Sequence, residues 1–204
     1  LVVGSITNEG YASNYSRVGL GPKGTIKPDI ASYGGDLLRG DNGEMIMKGV
    51  NSFSRNGNVA SSSGTSFATA RISSLASIYQ NICKDFKDFS DFNPILLKAL
   101  IIHSAKNTDK NLSVEEIGYG IPSTSTEILS YFKNENIKIF NGVMEKNKEI
   151  ELDASFFNYK KDIKIKLTLV YDTEFDYLQK GEYIKSDIKI KDISENGKNL
   201  TRKF

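Results

Sequence analysis

The sequence predicts an α/β domain followed by a small antiparallel, sandwich-like β module. Three observations carry this prediction. Residues 1–65 alternate brief apolar runs with Gly-, Ser- and Asn-rich stretches, residues 66–132 carry apolar positions at helical spacing, and beyond residue 136 the apolar period changes to two. The change of period places a boundary near residue 136, giving units 1–136 and 137–204, and a chain of 204 residues has room for both.

Leu1 to Val3 and the group Met45, Ile46 and Met47 read as short strands joined by long loops. From Ser66 onward, Ala68, Ile72, Leu75, Ile78, Tyr79 and Ile82 fall near one face of a helix over about residues 66–83. Asn93 followed by Pro94 marks the start of a second helix, with an N-cap side chain and the one residue suited to losing its N–H at the first helical position. Ile95, Leu96, Leu97, Leu100, Ile101 and Ile102 make that helix apolar almost all round, so it should be buried. Thr124 and Glu127 have capping-box spacing ahead of Ile128, Leu129 and Phe132, which predicts a third helix. Later, Ile163, Ile165, Leu167 and Leu169 alternate with Lys164, Lys166 and Thr168, and Ile188 and Ile190 alternate with Lys189 and Lys191. One apolar and one basic face describe antiparallel strands buried on a single side.

Composition narrows the function. Lys and Arg number 27 against 25 Asp and Glu, a net charge of +2, which gives no field to recruit nucleic acid or an anionic membrane, so neither partner is expected. Cys83 is the single cysteine; an intrachain disulfide and a CxxC motif are thereby excluded, and the residue reads as a small buried hydrophobe. No apolar run approaches the roughly 20 residues needed to cross a bilayer, and the opening LVVGSITNEG lacks the basic start of a signal peptide. Location is left open. The chain opens directly on an apolar strand-like run, which leads to the expectation that the natural start lies further upstream.

Chemistry concentrates in SSSGTSFATA, residues 61–70, where Gly64, Thr65 and Ser66 stand between a small-residue loop and the start of the first helix. A helix N-terminus presents unpaired backbone N–H groups and the positive end of the dipole, so an oxyanion forming beside Ser66 would be stabilised there. Gly64 leaves room for a substrate backbone, and Ala68 and Ala70 keep the first turn thin. As an isolated tripeptide, Gly-Thr-Ser reads more readily as a turn and an N-cap than as a site.

Several segments in order give it meaning. LVVGSITNEGYASNYSRVG, KPDIASYGG at residues 27–35, SGTSFATA, LLKALIIHSA and GYGIPS together resemble the subtilisin-like serine proteases over about residues 1–130. KPDIASYGG is similar to the family's KPDI-x-APG stretch, SGTSFATA to its GTSMA-x-P nucleophile motif, and GYGIPS to the glycine-tyrosine-glycine segment that closes the protease domain. The resemblance implies the later half of a mostly parallel sheet with packing helices, a polypeptide substrate, and Ser66 as the nucleophile that forms an acyl-enzyme. Gly64 and Thr65 complete the nucleophile loop, and the Ser66 N–H supplies one arm of the oxyanion hole. The β-rich remainder resembles the modules appended to many such proteases. The family often binds calcium, but no ligand and no metal site is assigned here, and no cofactor is expected.

The departures are informative. Where the family has Pro then His after GTSMA-x, this chain has Ala70 and Arg71; where it has APG, this chain has Ser32, Tyr33 and Gly34. Family order is Asp, His, Ser, yet no aspartate in a DTG setting and no histidine in an HGT setting precedes Ser66, nor does the strand ending in Gly-Asn that supplies the side-chain arm of the oxyanion hole. Asn8 in NEG imitates that arm but is followed by SNYSRVG and KPDI, which place it after that element. His103 is the sole histidine, lies downstream of Ser66 among apolar helix neighbours, and reads as a structural helix residue. The chain alone therefore lacks a general base and is expected to be inactive without a complementing N-terminal protease segment. The rival readings are a pseudoprotease or peptide-binding module without catalysis, and an interaction fragment that works through residues 137–204.

Other patterns point elsewhere than to a site. Gly19, Gly21 and Gly24 spell GxGxxG, but Pro22 sits inside and no helix pattern follows, so this is a loop. Asp109, Asn111, Ser113 and Glu115 alternate like a calcium loop without its glycine and read as a solvated connection. The lysine-bearing strands share their region with Asp162, Asp172, Asp176, Asp187 and Asp192 and read as a solvated sheet surface.

Overall fold

A computed structural model describes residues 1–21, 24–84, 93–107, 111–133, 138–150 and 166–173, together with 178, 188, 194–195 and 198–199. The chain opens with β1 (Val3–Ile6), turns through β2 (Gly19–Leu20) and β3 (Ile26–Lys27), and returns as β4 (Ile30–Tyr33). Two hairpins follow, β5 (Asp36–Arg39) with β6 (Met45–Lys48) and β7 (Val50–Phe53) with β8 (Val59–Ser62). The helices α1 (Thr65–Lys84), α2 (Pro94–Ser104), α3 (Val114–Ile117) and α4 (Ser125–Lys133) come next, and the hairpin β9 (Ser194–Glu195) and β10 (Lys198–Asn199) comes last.

The chain is thus α/β with small sheets. Of the five two-stranded sheets among the described residues, β1–β4 is parallel and the other four are antiparallel. Only that pair displays the parallel pairing expected. Of the GxGxxG stretch, Gly19 lies in β2, and Gly21 and Gly24 lie between β2 and β3, with Gly21 N–H to Thr25 O at 2.7 Å and Gly24 N–H to Gly21 O at 3.1 Å; a strand follows, not a helix, and Pro22 lies outside the described residues. Met45, Ile46 and Met47 form a strand as expected but lie exposed on their hairpin.

The helix starts follow the capping logic. Asn93 accepts from Leu96 N–H at 2.9 Å with Pro94 just inside α2, and Glu127 accepts from Thr124 N–H at 3.0 Å at the head of α4. Ser113 caps the short α3, and Glu116 reaches back to its N–H at 2.8 Å; Asp109, from the same alternating run, lies outside the described residues. On α1, Ala68, Ile72, Tyr79 and Ile82 face the core while Ile78 is exposed at the edge of the stripe. Cys83 is buried, and burial pushes its thiol up to about 11, so it is inert as a nucleophile.

One core cluster joins Ile30 of β4 to Ile72, Tyr79, Ile82 and Cys83 of α1, to Leu96, Leu100, Ile101 and Ile102 of α2, and to Ile128 of α4. Each fully buried Ile contributes about 1.5–3 kcal/mol relative to exposure. Tyr79 adds a polar knot at its centre. Its hydroxyl donates to Ser123 O at 2.6 Å and lies 3.0 Å from Ser104 Oγ, while Ser123 Oγ donates to Ser104 O at 2.9 Å, so α1, α2 and the lead into α4 share one satisfied network.

Residues past the expected boundary also touch this core, since Ile139 and Val170 pack against it. In residues 166–170 the period of two holds but its direction is inverted. Leu167 and Leu169 are exposed, while Thr168 and Val170 turn toward the helices and Lys166 Nζ donates to His103 O at 2.6 Å and Ala105 O at 2.8 Å. The carbonyls left open at the end of α2 account for the inversion, because a lysine there satisfies them and suits the negative end of the dipole. Ile163, Ile165 and Ile190, and with them most of the expected sandwich, lie outside the described residues.

A second lock ties β4 to the Gly118–Gly120 segment. Ala31 N–H donates to Gly120 O at 3.0 Å and Tyr119 N–H to Asp29 O at 2.9 Å. Gly118 has φ +62, and a Cβ there would run into the carbonyl oxygens of Pro28 and Asp29. Asp29 also accepts from Val2 N–H at 2.6 Å and pairs with Lys27 at 2.7 Å. Burial is the largest single influence on this carboxyl and works to raise its pKa. The hydrogen bonds from Lys27 and Val2 and the charges of Lys27 and Lys98 together outweigh it and hold the group below its ordinary 3.8.

Two stability measurements check these locks. Tyr79→Phe leaves Ser104 and Ser123 short of a partner and is expected to lower urea stability by about 1–3 kcal/mol. Asp29 favours its charged form when folded, so its contribution is present above pH 3.8 and disappears as the pH falls through the depressed folded value. Asp29→Asn should weaken the fold at neutral pH and remove that part of the acid limb in a pH series of urea midpoints.

Candidate active site

The end of β8 runs through Ser63 and Gly64 directly into α1. Ser66 stands exposed in the first turn of this 20-residue helix, beside the half-buried Gly64 and Thr65. Gly64 O accepts from Phe67 N–H at 3.1 Å. The Ser66 N–H belongs to the first turn and has no intrahelical acceptor, and the aligned peptide dipoles place a partial positive charge there. Among the described residues no hydrogen bond reaches Ser66 Oγ. The position offers an accessible hydroxyl and a preformed anion-stabilising donor within one residue.

The turn is pinned from below. Gly64 N–H donates to Gly34 O at 3.0 Å, which ties the head of α1 to the chain just past β4. Gly34 lies so close that a Cβ there would collide with Ser5 Oγ and come to 2.6 Å from Gly64 O and 3.3 Å from Ala68 Cβ. Ala68 is fully buried against it. Ala70 is exposed, so the need for a thin first turn rests on Ala68 alone, a correction to the paired role expected.

Below Gly34 is a group of hydroxyls that sequence reasoning missed. Ser5 and Ser13 are buried and Tyr15 half-buried; Ser13 and Tyr15 reach the Gly34 and Gly35 carbonyls, and Ser5 bonds the hydroxyls of both. The only signal was SNYSRVG, legible as a segment but silent on where its side chains point. The two departures at residues 33 and 71 also meet, with the Arg71 guanidinium carbon 5.7 Å from the centroid of the Tyr33 ring. At this exposure such a cation–π contact contributes about 0.5–1 kcal/mol. It links the start of α1 to the end of β4 where the resemblance expects histidine and proline.

His103 is not brought to Ser66. Its Nδ1 lies 2.9 Å from Thr168 Oγ1, and burial, with the Lys166 charge second, holds the ring pKa below 6.5. The adjacent Ser104 meets Tyr79, and at about 1.5 Å rise per residue Tyr79 sits about 20 Å down α1 from Ser66. Asn8 lies in the turn after β1, lining a shallow groove with Glu9, Tyr11, Asp36, Leu38 and Lys48, where Lys48 and Glu9 pair at 3.0 Å.

The close approach at Gly34 is open to direct test. Gly34→Ala inserts a methyl where Ser5 Oγ and Gly64 O leave no space, and a loss of about 1–3 kcal/mol in urea stability is expected, the usual range for overpacking. Gly142, with nothing within 4 Å of its own Cβ position and no positive φ, is the control for added bulk.

Comparison with known proteins bears on this geometry. The Subtilase family matches residues 1–120, more than half the chain, a span that runs from β1 through the Gly64–Ser66 turn to the Gly118–Gly120 segment. No curated protein sequence matches the chain. The parallel pair, the glycine-pinned serine turn and the docked glycine-tyrosine-glycine segment all fall inside the matched span, and the chain belongs to the Subtilase family.

Proposed function

We propose that Ser66 is the nucleophile of a serine endopeptidase whose catalytic base comes from a polypeptide segment other than this one. Membership of a protease family supports a polypeptide substrate. The observation that carries the residue assignment is the exposed hydroxyl of Ser66 in the first turn of α1, next to unpaired backbone N–H groups.

In this reaction Ser66 Oγ attacks the scissile carbonyl carbon and its proton passes to the base. The Ser66 N–H stabilises the resulting oxyanion. The tetrahedral intermediate collapses to an ester on Ser66 as the amine departs with a proton from the base. Water then attacks the ester and releases the acid. The chain's one histidine is held at the end of α2 by Thr168, so the base is the component this polypeptide lacks, and the resemblance assigns it with the triad aspartate and the oxyanion asparagine to an N-terminal protease segment. That segment would extend the parallel sheet begun by β1 and β4, and residues 137–204 would form the appended β module. A serine hydroxyl without a base is a weak nucleophile, so the chain by itself is inactive in this reading.

The position of His103 also favours a second reading, a peptide-binding module that retains the turn without chemistry. A fluorophosphonate probe separates the two. With the N-terminal protease segment of a subtilase supplied, wild-type chain should be labelled on Ser66 and Ser66→Ala should not; mass spectrometry of the labelled peptide reads the site. Absence of label on Ser66 in the complemented protein would leave the binding module.

A further inference from the structure

We propose that Tyr15 is a positioning residue for the nucleophile turn. Its hydroxyl lies 2.8 Å from Gly34 O and 2.9 Å from Gly35 O, and Gly34 O is the same atom that accepts the Gly64 N–H at 3.0 Å. One carbonyl therefore joins the Tyr15 hydroxyl to the residue two positions before Ser66. Nothing in the resemblance assigns a role to residue 15.

The donor and acceptor count supports a designed arrangement. Three hydroxyl protons and two carbonyls meet here. Ser13 donates to Gly35 O at 2.5 Å and Tyr15 to Gly34 O, and the Ser5 hydroxyl, 2.8 Å from Ser13 Oγ and 3.0 Å from Tyr15 Oη, has its one proton for either oxygen. Gly34 O then uses both lone pairs, one for Tyr15 and one for Gly64. The Gly34 and Gly35 N–H groups both point to Ile6 O, at 3.1 and 3.3 Å, so the peptide between them is held from two sides. The loop that carries Tyr15 is itself fixed. Ser16 Oγ accepts from Ser5 N–H at 3.0 Å, Ser13 N–H donates to Ser5 O at 2.9 Å, and Asn14 N–H donates to Asp36 at 3.1 Å. Small rotations of the Gly34 carbonyl would swing Gly64 and with it the first turn of α1, and Tyr15 opposes that rotation. Its phenol touches neither Ser66 nor the oxyanion position; it acts through Gly34.

The inference rests on Ser66 being the nucleophile, but the anchoring can be read without catalysis. In this chain, hydrogen exchange of the Gly64 amide followed by NMR should be about tenfold faster in Tyr15→Phe, because Gly34 O loses the bond that orients it. The Ala31 amide, bonded to Gly120 in the other lock, should be unchanged. Equal rates at Gly64, or acceleration of both amides alike, would overturn the proposal. Ser13→Ala, which removes one of the two hydroxyls on Gly35 O and leaves the Tyr15 hydroxyl at Gly34, should affect Gly64 less than Tyr15→Phe does; the reverse order would also overturn it. In the complemented enzyme Tyr15→Phe should lower kcat about tenfold with KM unchanged, and a change confined to KM would reject the positioning role. Failure of wild-type labelling would remove the nucleophile reading while the Gly64 exchange still decides the anchor.

Discussion

Gly34 is the contact on which the arrangement around Ser66 depends. Two structures distant from it in sequence, the Ser5 hydroxyl and the head of α1, occupy the space next to its Cα, and a single added carbon would strike both. Close approach of this kind is available only to glycine, and what it produces is a backbone-to-backbone bond from Gly64 to Gly34 in place of a flexible side-chain link. A helix start fixed through its own peptide groups holds its amide donors at constant direction. Direction is the property an anion-stabilising site requires, since a preorganised dipole need not reorient when charge develops.

That junction is useful only if β4 and α1 are themselves held, and two further locks do this by different physics. On one side of β4, Gly118–Gly120 supplies backbone bonds, and Asp29 gathers Lys27 and the Val2 amide around a buried carboxylate. On the other side of the core, Tyr79 joins the far half of α1 to α2 and to Ser123. Burial without partners would make Asp29 and Tyr79 liabilities, and their satisfied bonds convert them into constraints that a purely apolar contact does not supply. Apolar burial in the main cluster provides the bulk of the stabilisation, whereas the polar locks set register.

Much of this was legible in the sequence where a residue type has one dominant local use. Asn93-Pro94 and Thr124 with Glu127 marked helix starts because capping is a property of a few adjacent residues. Gly64-Thr65-Ser66 was legible as a loop-to-helix junction for the same reason. Side-chain direction over long separations was not legible. Nothing local indicated that Tyr15 would reach Gly34, that Tyr33 and Arg71 would stack, or that KPDI would dock on GYG, since each contact depends on how separate segments fold back. The inversion at residues 166–170 has the same origin: alternation fixes that neighbouring residues face opposite ways, and the open carbonyls of α2 decide which set faces inward.

The same separation of local from long-range information bears on how catalysis is distributed in the proposed reaction. Stabilising an oxyanion needs a fixed helix start, and the groups that fix this one, Ser5, Ile6, Ser13, Tyr15, Gly34, Gly64 and Ala68, lie within residues 5–68 of this chain. Proton transfer needs a base within hydrogen-bond reach of Ser66 Oγ. His103 cannot move there without giving up Thr168 at its ring and the Lys166 cap on its carbonyl, and without leaving a helix whose buried face is part of the core. Its neutral form is favoured where it stands, by burial and by a neighbouring cation, which suits a packed helix end and not a mobile base. In the proposed reaction the Gly64–Ser66 turn is therefore held by groups of this chain alone, and what a complementing segment would add is a proton acceptor beside the Ser66 hydroxyl.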